Sequence, residues 1–134
     1  MAKESGLGMA LAVDDSTGTA QTISNDVTEF EFATPRGVQE VTGIDKSAME
    51  RLLLLADFSI TMKGVFNDAA NMSHAVLKTV PSTSVLRAIT ISVSGQTLAC
   101  ETMISDYAMS RSSEGELTWE APAALANGAV PTWS

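Results

Sequence analysis

The sequence predicts an α+β chain, mainly β, with one flanking α-helix at about residues 69–80. Three observations predict it. Residues 58–66 alternate apolar and polar positions, a single stretch after them has helical periodicity, and tight-turn dipeptides separate the remaining apolar runs. The chain has 134 residues, 45% hydrophobic and 18% charged, which is the composition and size of one ordinary globular domain. No repeat, low-complexity tract or break in composition divides it, so residues 1–134 are expected to form a single domain. Within it, residues 1–19 read as an N-terminal arm and loop and residues 122–134 as a C-terminal arm.

Residues 6–13 are apolar, follow Lys3 and Glu4, and end at Asp14 and Asp15, so they read as an arm or strand and not as a targeting segment. Residues 14–19 hold turn formers and no large apolar side chain. Their two acids lack the further acidic positions and closing Glu of a calcium loop, so they read as a turn. Residues 27–32 alternate with Thr28, Phe30 and Phe32 on one face, expected inward, and Val27, Glu29 and Glu31 on the other. Turn chemistry at residues 34–37 and a second extended run at 38–42 make these a predicted hairpin.

Residues 47–56 support two readings. Ser47 and Glu50 form a capping-box signature ahead of good helix formers. Alternation also fits, with Met49, Arg51, Leu53 and Leu55 on one strand face. Phe58, Ile60, Met62, Gly64 and Phe66 then share the inner side of the clearest strand in the chain. Asp68 is placed to cap the helix and Pro81 to end it. Ala69, Met72, Ser73, Val76, Leu77 and Val80 gather on one helix side, with Asn71, His74 and Lys78 opposite.

Beyond the helix, residues 85–93 alternate again, and Ser94-Gly95 turns the chain into a return strand over residues 97–110. A turn at 111–115 precedes a further strand at 116–121. Residues 123–134 are irregular but apolar, ending near Trp133, and call for a contact that a neighbouring subunit would provide.

The inventory for chemistry is thin. Nucleophilic catalysis needs a nucleophile, a base and an orienting group, and the chain has one His and one Cys. His74 reads as a solvated side chain on the polar helix face, and Cys100, beside Leu98 and Ile104, as a small buried hydrophobe. Gly6-Leu7-Gly8 lacks the strand-to-helix setting of a phosphate loop. Asn71-Met72-Ser73 matches the glycosylation triplet by chance. No His/Cys cluster has metal-ligand spacing, and no acid has a visible catalytic partner. No catalytic residue, cofactor or metal is expected, and the chain reads as a non-enzyme. Sixteen acidic against eight basic residues give a formal charge of −8, which repels nucleic acid. No apolar run approaches the roughly 20 residues that cross a bilayer, so no membrane insertion is expected.

In the order of its segments the chain resembles the major tail (tail tube) proteins of long-tailed bacteriophages. The resemblance rests on the apolar N-terminal arm, the extended runs around Phe30 and Val41, and the run Leu55-Ala56-Asp57-Phe58-Ser59-Ile60-Thr61-Met62-Lys63-Gly64-Val65-Phe66. That run has the family's Leu-x-Asp start and Gly-x-Phe end. One helix, a hairpin, Gly115-Glu116-Leu117-Thr118 and a tail with Gly128 and Thr132-Trp133 complete it. The resemblance implies a β-sandwich or barrel-like body and makes residues 47–56 a strand. It further implies homo-hexameric rings stacked into a tube in the virion tail, assembled in the bacterial host cytoplasm. Double-stranded DNA would pass through without specific binding, and tape-measure and tail-tip or terminator proteins would be partners.

On that reading open strand edges serve as binding surfaces, and seven Met residues suit contacts that adjust, although Met fills cores equally well. Glu29, Glu31, Glu40, Glu101 and Asp106 are the candidate lumen-lining acids. Leu7, Met9, Leu11, Val130 and Trp133 are the candidate inter-ring contacts. The alternative from another class is a β-sandwich decoration or adhesion module of a virion, for which Trp119 and Trp133 make a sparse aromatic surface.

Overall fold

The computed structural model of the protein describes residues 5–134; residues 1–4, with Lys3 and Glu4 of the expected arm, lie outside the described residues. In chain order the elements are β1 (Ala10–Asp14), β2 (Ala20–Thr22), β3 (Val27–Ala33), β4 (Arg36–Glu40), β5 (Arg51–Ala56) and β6 (Ser59–Val65). They continue with α1 (Ser73–Leu77), β7 (Arg87–Val93), β8 (Gln96–Ile104), β9 (Ala108–Arg111) and β10 (Leu117–Leu125). The mainly β fold with one flanking helix is the fold the chain has. Eight strands form one antiparallel sheet ordered β2-β1-β7-β8-β10-β6-β3, with β9 also on β10, while among the described residues β4 and β5 pair only with each other.

The sheet curls on itself because both of its halves bury the same kind of face. Leu11 and Val13 on β1, Ile60 and Met62 on β6, Ile89 and Ile91 on β7 and Leu98 on β8 all join one core. Residues 23–26 bridge the two halves: Ile23 N donates to Leu11 O, and Val65 N donates to Asp26 O. Val76 and Leu77 of α1 and Phe58 complete the core.

Asp26, although almost wholly buried, is a carboxylate with donors. It accepts hydrogen bonds from Ser73 N and Asn67 Nδ2, both at 2.9 Å. Through them the residue that joins the sheet halves also fixes the start of the helix. Beside it, Gly64 lets the chain pack closely. A Cβ at this position would collide with Asp26 O and lie 2.7 Å from Trp119 Cζ2. The Trp119 indole donates to Val65 O at 2.9 Å.

Several expectations are corrected here. β3 and β4 do not form the predicted hairpin: β3 pairs with β6, and β4 turns away to pair with β5. Residues 51–56 are strand, and Ser47 and Glu50 lie outside any helix. The helix is five residues long, because Asn71 takes a left-handed φ of 62° and breaks the chain just before it. Asp68 does not cap it; Met72 occupies that position without a side-chain bond, and Asp26 binds the next amide. The long return strand is two strands, since β8 and β9 both lie on one edge of β10 and the chain must step out at residues 105–107. β10 runs on to Leu125, beyond its expected end.

Arg87, passed over in the alternation of its strand, is almost wholly buried. It donates to Val76 O at 2.6 Å, Thr79 Oγ1 at 2.7 Å and Asp14 O at 3.2 Å, so one guanidinium clamps the helix end to β1. Ser94 and Gly95 both take positive φ, as the predicted two-residue β7–β8 turn requires.

The acidic turn after β1 closes on itself. Asp15 Oδ1 accepts from the Thr17 hydroxyl at 2.6 Å and from the Thr17 and Thr19 amides, which lowers its pKa to about 2. With its folded pKa depressed, its contribution is fully present above the unfolded value of about 4 and is lost as pH falls through 2. Thermal melts of the wild type should therefore decline more steeply between pH 4 and pH 2 than those of Asp15→Asn; parallel declines would show that these bonds add nothing. Gly64→Ala should lower stability by about 1–3 kcal/mol through overpacking. Ser59→Ala, on the solvent side of the same strand, should stay within about 0.5 kcal/mol. Urea denaturation measures both, and equal midpoints would refute the tight packing at Gly64.

Candidate functional site

Two surfaces of the chain carry features that folding alone does not require. The first is the solvent-facing side of the large sheet. Cross-strand register places Glu29 opposite Lys63 and Lys63 opposite Glu120, so β3, β6 and β10 present a Glu-Lys-Glu row. The next row is Glu31, Thr61 and Pro122, and the one after it Ala33, Ser59 and Ala124. On the far half Glu101 lies opposite Ala88, Ala99 opposite Thr90 and Thr90 opposite Ala12. The face is thus small, polar and acidic, with Lys63 the one cation among its described strand residues.

Of the five predicted lining acids, Glu29, Glu31 and Glu101 share this face. Glu40 lies on β4 in the separate two-stranded sheet. Asp106 lies in the break between β8 and β9, its Oδ1 accepting from Tyr107 N at 2.8 Å. Alternation assigns a residue to a face but not to a sheet, which is why these two fall elsewhere. Glu120 was missed, although its place in β10 beside buried Trp119 and Ala121 was available from period-two reading.

The second surface is the hairpin of β4 and β5, which projects as an arm. Every residue of β4 is exposed, and so are the leucines of β5, Leu53 at 61% and Leu55 at 89%. Leu52 and Leu54 point to one side and Leu53 to the other, with Leu55 beyond them at the register shift of the hairpin. Ile44 at the tip is fully exposed. The arm's register is maintained by its own bonds: a bulge lies between Arg36 and Val38, and the Arg36 guanidinium donates twice to Leu54 O, at 3.0 and 2.8 Å. Sequence reading registered this stretch only as a choice between helix and strand. Four consecutive leucines, apolar on both faces of a strand, were the signal that both faces need a cover.

The predicted terminal contacts divide. Leu7 and Val130 are exposed, Met9 is half-buried against the core, and Leu11 is 1% exposed, a core residue with no surface to offer. Trp133 is 48% exposed, bridges to Leu98 and packs its ring 6.1 Å from Phe32. Part of the cover expected from a neighbouring subunit therefore comes from the chain itself.

His74 is not the solvated side chain expected. Its Nδ1 lies 3.2 Å from Tyr107 Oη and its ring 4.7 Å from Phe66. Burial, with a lesser effect of Asp26, raises the Tyr107 pKa, so the phenol is a neutral hydrogen-bonding group. Cys100 is buried and its thiol pKa is pushed up by burial, which keeps it protonated and unreactive. No group of three or more His, Cys, Asp or Glu residues suited to a metal occurs among the described residues, and none of the described helices is long and apolar enough to cross a membrane.

No protein-family model and no curated protein matches the chain. Solved structures do. A chain from the tail of an empty gene transfer agent (GTA) particle, obtained by helical refinement in C6 symmetry, superposes with a TM-score of 0.78 at 19% identity. The match covers 98% of this chain and 99% of that one. A chain from the virion of the native GTA particle gives 0.78 at 18% identity, over 98% and 99%. A chain from the six-fold symmetrised baseplate of the anti-feeding prophage gives 0.64 at 9% identity, over 100% and 97%. Over nearly its whole length, then, the chain has the fold of chains that build the tails and baseplates of phage-like particles.

Proposed function

We propose that the chain is the structural subunit of a phage-type tail tube, assembling into homo-hexameric rings that stack into a conduit for double-stranded DNA. The observation that carries this reading is the β4–β5 arm. An isolated two-stranded hairpin is at best marginally stable in water, and this one exposes leucines on both faces. Such a surface needs other subunits. The six-fold symmetry of the GTA tail and of the prophage baseplate supports six as the ring number.

The open sheet face is the proposed lumen wall. Its small side chains leave the bore smooth, and Glu29, Glu31, Glu101 and Glu120 repel phosphates, so DNA passes without specific binding. Residues 1–134 act as one domain in this reading, Leu7 and Val130 remain candidate contacts between rings, and tape-measure and tail-tip or terminator proteins are the partners. The subunit acts in the virion tail after assembly in the host cytoplasm, with no catalytic role. A decoration or adhesion module is less well supported, because Trp119 is buried and Trp133 lies against Phe32.

Negative-stain electron microscopy over a concentration series should reveal rings or hollow tubes of uniform width with a six-fold end view. Monomers at the highest concentration would sink the assembly reading. In assembled material, Glu101→Lys combined with Glu120→Lys should leave the tube width unchanged but make tubes retain DNA in low-salt co-sedimentation. Retention equal to the wild type would remove the wall from the proposal.

A further inference from the structure

We propose that Asn127 is a self-modifying site: its amide converts to isoaspartate without an enzyme, and the conversion loosens residues 126–134 from the edge of β8. The inference stands independently of the assembly reading. β10 covers that edge of β8 only from Thr102 to Ile104, and the segment after β10 takes over the rest. Ala126 N donates to Glu101 O at 3.1 Å, Thr97 N to Ser134 O at 3.0 Å and Ser134 N to Thr97 O at 2.9 Å, while Trp133 bridges to Leu98. Between the two attachments lies a gap of about 190 Å³, lined by Ala99, Glu101, Asn127 and Val130 among others. The segment is a strap fastened at its ends.

Of the four asparagines in the chain, Asn127 is the one followed by glycine; Asp26, Asp68 and Met72 follow the others. Ring closure requires the backbone nitrogen of the next residue to reach the side-chain carbonyl carbon, and a side chain on that residue obstructs the approach. Gly128 has none, its φ is 76°, and both residues are exposed. The Gly128 amide has no hydrogen-bond partner among the described residues, so solvent can take its proton. Ala129 N donates to Asn127 Oδ1 at 3.0 Å, which folds the side chain forward along the Gly128 amide and polarises the carbonyl to be attacked. Asn67 has the same forward bond, from Ala69 N, but Asp68 follows it and its Nδ2 is held by Asp26.

The chemistry needs only water. The deprotonated Gly128 nitrogen bonds to Asn127 Cγ, the Cγ–Nδ2 bond breaks, and Nδ2 takes up the proton and leaves as ammonia, giving a succinimide. Water then opens the ring. Attack at Cγ gives aspartate, and attack at the main-chain carbonyl of residue 127 gives isoaspartate, in which the backbone runs through the former side chain. Isoaspartate adds a methylene to the chain between the two attachments and sets a carboxylate beside the gap that Glu101 already lines. Both changes oppose holding Ala126 and Ser134 in register on one strand edge.

Peptide mapping by mass spectrometry of the purified chain, aged in mildly alkaline buffer, tests the site, with isoaspartyl methyltransferase labelling as the probe of the linkage. Asn127 should convert about tenfold faster than Asn25, Asn67 or Asn71, and Gly128→Ala should slow it about tenfold, the penalty for a side chain at a left-handed φ. A Cβ at Gly128 meets no other atom within 4 Å, so no clash accompanies that change. Conversion spread evenly over the four asparagines, or absent from Asn127, overturns the site. Hydrogen exchange reads the strap. The Thr97 and Ser134 amides should exchange about tenfold faster in the aged wild type than in aged Asn127→Gln, with the Ile91 amide of the core unchanged. Equal exchange in a converted sample overturns the loosening.

Discussion

The structure depends on the junction at Asp26. Its carbonyl accepts from Val65 N, its carboxylate accepts from Ser73 N and Asn67 Nδ2, and its backbone lies where a side chain on residue 64 would have to be. Four parts of the chain meet there: the link from β2 to β3, the end of β6, the start of α1 and the Trp119 ring of β10. A buried carboxylate must find donors, and these donors come from residues far apart in sequence. The bonds therefore do what apolar packing alone does not: they select one way of curling the sheet. Arg87 makes the matching clamp at the other end of the helix, with three acceptors around one buried guanidinium.

With that framework fixed, the two surfaces follow from their composition. An antiparallel sheet with one buried face leaves the other to water, and here that face carries mostly Ala, Ser, Thr and Glu, with Lys63, Val65, Met103 and Pro122 among them. The arm is different. It leaves the sheet at Ala33, returns at Ser59, and among the described residues shares no strand pairing with the body. Its side chains contribute almost nothing to the folding core, so their apolar character answers to another requirement.

What the sequence disclosed depended on the range of the interactions involved. β6 was legible because strict alternation over seven residues reflects a face buried along its whole length. The β7–β8 hairpin was legible because Ser94-Gly95 has only one economical backbone solution. The partner of β3 was not legible: Pro35-Arg36-Gly37 is sound local turn chemistry, and only the long-range pairing with β6 overrides it. The helix was overextended because helical periodicity ran through Asn71, whose left-handed φ belongs to a loop built around Asp26 and Asn67. Arg87 was passed over since a charged residue on an inward face contradicts the pattern that defines the face. Leu11 was assigned to a surface from its position near the terminus, while its alternation with Val13 already marked it as core.

Among the described strands β4 and β5 pair with each other alone, so their order is weakly coupled to that of the body, and in the proposed assembly part of the entropy of fixing them would be lost on docking. Each single engagement would then be weak and short-lived, and a misplaced copy could leave before others lock it in. In the proposed ring, where every copy would be held at several points together, the same weak contacts would act in parallel and dissociation would require all of them to open at once. On the assembly reading, a poorly supported hairpin would thus give a polymer that corrects its errors while it grows and resists disassembly when it is complete.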